Sequence, residues 1–352
     1  MRQLPYLIVG QGIAGTLVAW FLKKAGHPFL VVDNNHQTAA SKVAAGIINP
    51  ITGRRFVKSW NIEAFLPFAK STYLEIQKEL GIDIWRELDI IRYFSSHAEG
   101  NNWLSKTTWP GYDKFLLKNK RVNELDAVIA NNAGYGLVKG AKVDINLLTK
   151  VFKIWLQEEN LILNESFHYQ QLLIKKDSLT YKELEFKGII FCEGYQSYNN
   201  PWFSHLPYES AKGEVLIVRI PNLKVDYIIK KHFFLVPLEK DLYWFGSNYE
   251  WEDLTMQPTK KGKEYLIKQL KQLLKVEFEI AEHFAAVRPV LKDRRPAIGR
   301  HPDKDQLIIL NGLGTKGASI APKMASILVQ FLLTSVPLDS AIDVSRFSLV
   351  ET

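Results

Sequence analysis

Residues 4–33 read LPYLIVGQGIAGTLVAWFLKKAGHPFLVVD, and the fold is decided in this stretch. A short apolar run, Leu7 to Val9, leads into Gly10, Gly12 and Gly15 in GxGxxG spacing. An apolar segment over 16–24 follows, then a second apolar run, Phe29 to Val32, closed by Asp33. The order predicts strand, glycine turn, helix and strand, the opening unit of a parallel sheet. Gly10 allows the tight turn, Gly12 lets backbone approach a pyrophosphate, and Gly15 lets the helix lie close to the sheet. The free N–H groups at the helix start, those of Ile13 and Ala14 among them, face an anion with the positive end of the helix dipole behind them. Asp33, with Asn34 beside it, stands eighteen residues after Gly15 and is placed to accept hydrogen bonds from a ribose diol. A carboxylate there repels a 2′-phosphate, which argues against NADP. A glycine turn without a ligand explains the glycines but not the flanking strands and the closing acid. Residues 3–22 carry no charge, as a membrane span or signal peptide would, but three glycines and a proline interrupt them and Lys23 and Lys24 follow rather than precede them.

The chain has 352 residues, 47% apolar and 23% charged, enough for a sizeable core in two domains or in one with a large insertion. Its one cysteine, Cys192 in the apolar run KGIIFCEG, excludes internal disulfides and cysteine metal clusters and suits a reducing cytoplasm. A net charge of +8 suits an acidic substrate or nucleic acid. The eight histidines show neither metal-ligand spacing nor a serine–histidine–acid arrangement, so no metal site is expected. No further membrane span is expected.

Outward from the first unit, Ser41 to Arg55 reads as a glycine-containing loop lying close to something flat, and 62–80 as a helix. Residues 141–157 suggest another helix with Asp144 as N-cap, and 161–163 and 184–192 suggest strands. Between 213 and 251 the runs GEVLIVRI, YIIKKHFFLVPL and LYWFGSNY alternate as antiparallel strands do. A lysine-rich amphipathic helix is expected over 259–275, then a strand LIILN, the loop GLGTKG and a last helix near 321–333. The fold class is therefore α/β. A Rossmann-like dinucleotide domain is expected over 1–80, 141–205 and 285–352, and a mainly antiparallel α+β substrate domain over 81–140 and 206–284.

Taken in order, GQGIAG with Asp33, SKVAAGIINP, GAKVDINLL, IIFCEG, KGEVLIV, FLVPLEKDLYWFGSNY, VRPVLKDRRPAIGRHP and NGLGTKGASIAP cover nearly the whole chain. In this pattern the chain resembles the D-amino-acid-oxidase superfamily of flavoproteins, the glycine and sarcosine oxidase type. The resemblance implies FAD rather than NAD, bound without a covalent cysteine link because Cys192 is not placed for one. It implies that Gly10 to Gly15 and Asp33 hold the ADP half, that Ser41, Ala45, Gly46 and Ile47 approach the isoalloxazine, and that Gly194 lies near the ADP portion. It implies that Gly312, Gly314, Thr315, Lys316 and Gly317 meet the pyrimidine side, where glycine N–H groups and a helix N-terminus favour the anionic reduced ring. Lys316 adds positive charge in this reading, and a solvated loop lysine fits the sequence equally well. Arg288 matches the position that holds the substrate carboxylate, a task suited to its planar fork; the bland alternative is an arginine paired with a nearby acid. Arg288 and Lys316 are thus the candidate catalytic residues, with Phe234 and Tyr249 as candidate pocket walls. Leu238 after Pro237 and Asp33 in place of a glutamate depart from the usual pattern.

The activity implied is oxidation of the C–N bond of a small amino acid or N-substituted glycine by hydride transfer to flavin N5. GLGTKG and the small-residue helix after it also look like the oxidase half of bifunctional tRNA-modifying enzymes, which remove a carboxymethyl group from a wobble-uridine amine. In that reading the lysines over 259–275 would contact phosphates, although lysines on an amphipathic helix commonly form a solvated face. A flavin-binding scaffold without turnover is the third alternative.

Overall fold

The computed structural model describes residues 4–36, 38–117, 127–128, 133–221 and 223–347. Its first layer is a six-stranded sheet built on the glycine stretch. Tyr6–Val9 is buried along its whole length, as a strand covered on both faces must be, and this is why it reads as an unbroken apolar run. Across the sheet the order is Ile162–Leu163, Phe29–Val32, Tyr6–Val9, Gly188–Phe191, Lys304–Asn311 and Ala297–His301. Every pairing is parallel except the last, where Ala297–His301 runs against Lys304–Asn311.

The helices Ile13–Lys24, Ile62–Leu80 and Gly317–Thr334 cover one face of this sheet. Trp20, Leu17, Tyr73, Ile76, Met324 and Leu328 have no exposed surface and share one buried cluster. The last helix begins at Gly317, four residues before the expected start. Pro322 does not stop it. Proline has no N–H to offer the carbonyl of Ala318, and the Tyr73 hydroxyl donates to that carbonyl instead, at 2.9 Å. By length and composition Gly314–Thr334 could cross a membrane; here its Ala321, Met324, Ala325 and Leu328 are fully buried in the core.

The second layer is an eight-stranded sheet in the order Glu279–Arg288, Ala211–Arg219, Leu242–Gly246, Phe234–Pro237, Ile228–Lys230, Ile90–Tyr93, Tyr135–Val138 and Leu116–Leu117. Its pairings are antiparallel save that of Ile228–Lys230 with Ile90–Tyr93. Side chains alternate between its faces. Leu216, Val218, Leu235 and Phe245 pack on Leu266 and Leu270 of the helix Lys260–Lys271. Val215, Ile228, Val236 and Trp244 belong to the other face, which looks toward the glycine turn.

Further elements differ from expectation. Residues 184–192 form two strands, Leu184–Phe186 in a three-stranded sheet and Gly188–Phe191 in the six-stranded one, and the loop expected over 41–55 carries the short helix Ala40–Val43 and the strands Ile47–Ile48 and Ile51–Thr52. Ala141–Val143 is a strand paired with Ile47–Ile48 and Trp85–Glu87, and the helix starts only at Ile145, because Asp144 accepts from the Leu147 N–H at 2.8 Å and caps it there. The run YIIKKHFFLVPL is a hairpin of two strands, Ile228–Lys230 and Phe234–Pro237. The division expected at 284/285 falls inside the strand Glu279–Arg288, and part of the stretch 118–132 lies outside the described residues.

A buried ion pair braces this sheet. Arg92 Nη2 lies 2.6 Å from Glu99 Oε1, Nη1 donates to Gly53 O at 2.9 Å, and the guanidinium stands 4.3 Å from the Phe56 ring. Burial alone would raise the Glu99 carboxyl, but bonds from Ser95 and Arg92 outweigh it and hold the group below the usual glutamate range. Its stabilisation is therefore present above the ordinary glutamate pKa and is lost as pH falls. Glu99→Gln, which leaves Arg92 buried without its counter-charge, is expected to cost about 3 kcal/mol. The urea midpoint at pH 7 should drop, and the gap to the parent protein should narrow below about pH 4.5. A constant gap across pH would show that the charge of Glu99 is not what stabilises.

Candidate active site

The glycine turn forms one end of a cavity of about 750 Å³ that continues to the inner face of the eight-stranded sheet. At the turn, the backbone leaves no room for side chains. Gly10 has φ of +93°, and a Cβ there would lie 2.6 Å from the Cys192 carbonyl oxygen; one on Gly15 would lie 1.8 Å from that of Gly10. Gly46, at φ +67°, approaches Val143 as closely, with 1.8 Å between a built Cβ and the Val143 oxygen.

Asp33 is held in place by its neighbours. Its Oδ2 accepts from the Gln11 N–H at 2.8 Å, and its Oδ1 accepts from the Asn35 N–H at 2.7 Å and lies 3.7 Å from Lys153 Nζ. Ser41 accepts from the Ile13 N–H at 3.0 Å and so ties the short helix Ala40–Val43 to the start of the first long helix. Trp244 Nε1 donates to Val43 O at 2.9 Å, which joins the same segment to the eight-stranded sheet.

Of the residues the sequence singled out, Gly10, Gly12, Ile13, Ala14, Asp33, Asn34, Ser41, Ala45, Gly46, Ile47, Gly194, Gly314, Thr315, Lys316 and Gly317 line the cavity, as do Phe234, Tyr249 and Arg288. Gly15 and Gly312 are not on its wall. Gly15 serves the contact of helix with turn, and Gly312, at φ +75° with a built Cβ 2.9 Å from Leu291 Cδ1, holds the chain as it leaves the last strand of the sheet. Lys316 is half-buried rather than solvated. Burial lowers its pKa from the usual lysine range, and Arg295 and Arg294 lower it further.

Arg288 ends the strand Glu279–Arg288 with its guanidinium lying back over Gly213, where a Cβ would come within 1.9 Å of Nη2. Nη1 donates to Ala211 O and Lys212 O at 3.3 Å each; Nη2 donates to Ser247 Oγ, and to Asn248 O at 3.1 Å. The Tyr249 ring stacks 4.4 Å away. All of these oxygens are uncharged, and among the described residues no carboxylate pairs with Arg288. The reading of a structural arginine neutralised by an acid therefore does not hold.

Sequence reasoning missed Lys230, Trp244, Glu193 and Tyr169, which also line the cavity. Glu193 accepts from Asn200 Nδ2 at 2.8 Å and from the Tyr169 hydroxyl, and burial raises its carboxyl above the ordinary range. Alternation puts Lys230 on the same face as Ile228, but Ile228 and Ile229 are both fully buried, so only the packing of the sheet shows which face meets the cavity.

Residues 6–331 match the family of FAD-dependent oxidoreductases designated DAO. The chain belongs to this family. Its relatives include the glycine oxidase of Bacillus licheniformis, 23% identical over 94% of each chain. A bifunctional protein of tRNA 5-methylaminomethyl-2-thiouridine biosynthesis from Marinobacter nauticus is 23% identical over 92% of this chain and 54% of its own length. In fold, the oxidoreductase is similar to the crystal structure of glycine oxidase from Geobacillus kaustophilus, with a TM-score of 0.79 and 18% identity over 100% of both chains. Its cofactor is FAD, and the cavity fits it. The wall is bare of side chains at Gly10, Gly12 and Gly46, a helix N-terminus faces it at Ile13, and a fixed carboxylate stands at Asp33. The Cys192 thiol, buried beside Glu193, is held well above its usual pKa and stays protonated.

Proposed function

We propose that this oxidoreductase oxidises the carbon–nitrogen bond of a small amino acid or N-substituted glycine, held by its carboxylate at Arg288. The observation that carries this reading is the charge of Arg288, which faces the cavity and meets no acid among the described residues. Two glycine oxidases, one a relative and one a solved structure of the same fold, agree with it.

In this reading Gly10 to Ala14 and Asp33 take the ADP half, with Gly194 nearby. Ser41, Ala45, Gly46 and Ile47 lie along the ring system, and Gly314 to Gly317, Lys316 included, meet the far edge. Bound without a covalent link, the flavin supplies the acceptor for the hydride that leaves the carbon beside nitrogen. Arg288 fixes the substrate carboxylate and with it the direction of that C–H bond. Phe234, Val215 and Trp244 add apolar surface to the wall on the same side as Arg288. A neutral amine needs no dedicated side-chain base, and none is assigned.

The test is an absorption spectrum of the purified holoenzyme, then anaerobic titration with amino acids and N-alkyl glycines. Flavin bands at about 380 and 450 nm should bleach with at least one of these compounds. Bands that no small amine bleaches would overturn the small-substrate reading.

A second reading, a tRNA-borne carboxymethylamine as substrate, is favoured by one feature. At the cavity rim Tyr249 and Trp251 are 53% and 64% exposed, with rings stacked 5.8 Å apart, and such a pair suits a nucleobase. The lysines of the helix Lys260–Lys271 are all exposed. If this reading holds, tRNA binds with an affinity that falls steeply between low and moderate salt; salt-insensitive or absent binding sinks it.

A further inference from the structure

The half of the cavity beneath the eight-stranded sheet is walled by Val215, Lys230, Phe234, Trp244, Tyr249 and Arg288, and among the described residues no carboxylate lines it. The acids on the cavity wall, Asp33, Glu165 and Glu193, belong to the half beside the glycine turn. Two cations therefore face a region with no counter-charge. One is Arg288. The other is Lys230, which directly opposes Phe234 across the hairpin, so that both side chains share the inner face. Its Nζ stands 3.8 Å from the Phe234 ring centroid.

Among the described residues no carboxylate pairs with Lys230. The residue beside it in register, Arg92, already holds Glu99 at 2.6 Å, and Glu99 also accepts from the Ser95 N–H at 2.7 Å. Burial, and then repulsion from Arg92, bring the Lys230 ammonium down to about 8, and Glu99 offsets this only in part. A half-buried ammonium that rests on an aromatic face and is repelled by Arg92 is costly to maintain, and the cavity is where an anion can relieve that cost.

The register also shows how the two side chains converge. Phe234 and Val215 both oppose Gly246, and the Ser247 that receives Arg288 Nη2 follows Gly246 directly. The strands of Arg288 and Lys230 are separated by three others, and the two charges approach one another only through their side chains, Nη2 reaching Ser247 and Nζ reaching the ring of Phe234. Resting on the amine-oxidation reading above, we propose that Lys230 is a second anion anchor and that the substrate is an amine carrying two carboxylates, one held by Arg288 and one by Lys230. The substrate class becomes N-carboxyalkyl glycines and acidic amino acids rather than glycine itself. The reacting C–H bond lies between two fixed ends.

The experiment uses the holoenzyme and three probes: N-methylglycine, N-(carboxymethyl)glycine and N-(2-carboxyethyl)glycine. Binding is read from perturbation of the flavin absorption, and turnover from anaerobic bleaching. At least one dicarboxylate should bind and reduce the flavin better than N-methylglycine by about 10-fold or more. Lys230→Met should weaken that dicarboxylate by about 100-fold while leaving N-methylglycine within about 3-fold, and Lys230→Arg should restore most of the loss. Equal loss on all three probes, or no preference for two carboxylates in the parent enzyme, would overturn the anchor. If the dicarboxylate binds in a Lys230-dependent way but no probe bleaches the flavin, the anchor stands and amine oxidation fails. Flavin content of each variant shows whether it has folded.

Discussion

Arg288→Met is expected to lower kcat/KM for the best amino-acid substrate by about 10³-fold while the purified protein keeps its flavin. The size follows from what is removed. A charged, desolvated fork that binds a carboxylate contributes about 2–5 kcal/mol to such a complex, and the loss falls on orientation as well as on binding. The retained flavin follows from position, since Arg288 sits on the eight-stranded sheet among Ala211, Lys212, Ser247 and Asn248, away from the glycine turn. Gly213→Ala gives an independent check. Its new methyl group would fall 1.9 Å from Nη2 and 2.5 Å from Cζ of Arg288, and because the guanidinium is the far end of a flexible side chain it can move aside without unfolding the sheet. The variant should therefore reproduce part of the Arg288→Met defect at full flavin content. Unchanged kcat/KM in Arg288→Met would remove Arg288 from substrate binding.

The second large effect lies at the glycine turn. Gly15→Ala places a Cβ 1.8 Å from the carbonyl oxygen of Gly10, a backbone atom in a turn that is itself fixed at φ +93° against Cys192. Neither side can yield cheaply, because the helix Ile13–Lys24 buries Leu17, Val18, Ala19 and Trp20 completely and cannot lift from the sheet. A cost above about 3 kcal/mol is expected, read as a large fall in the urea midpoint of the apoprotein and loss of flavin from what remains folded. Gly26→Ala is the control: its φ is +64°, but nothing lies within 4 Å of the built Cβ, so only the backbone strain applies, about 1 kcal/mol. Equal effects at the two positions would show that the clash at Gly15 is not decisive.

The difference between these two sites also separates what could be read locally from what could not. The strand, turn, helix and acid of residues 4–33 are legible because their constraints act between near neighbours. A tight turn needs positive φ, a helix start leaves N–H groups free, and a doubly covered strand is apolar throughout. The cap at Asp144 was legible for the same reason, whereas the strand Ala141–Val143 before it was not, since only its partners Ile47–Ile48 and Trp85–Glu87 make it a strand. The last helix runs through Pro322 because a tyrosine hydroxyl from another helix replaces the missing donor, and no local rule anticipates that.

By itself, then, the sequence determined the dinucleotide unit, the fold class and, through scattered motifs in order, the FAD cofactor, and it singled out Arg288 as a candidate. The tertiary structure decided which side chains share the reacting end of the cavity. That Arg288 meets no acid among the described residues, that Glu99 is committed to Arg92 and that Lys230 faces the same cavity all follow from strand order and register in the eight-stranded sheet. Charge neutralisation depends on distances of a few ångströms between residues far apart in the chain, and those distances exist only once the sheet has closed.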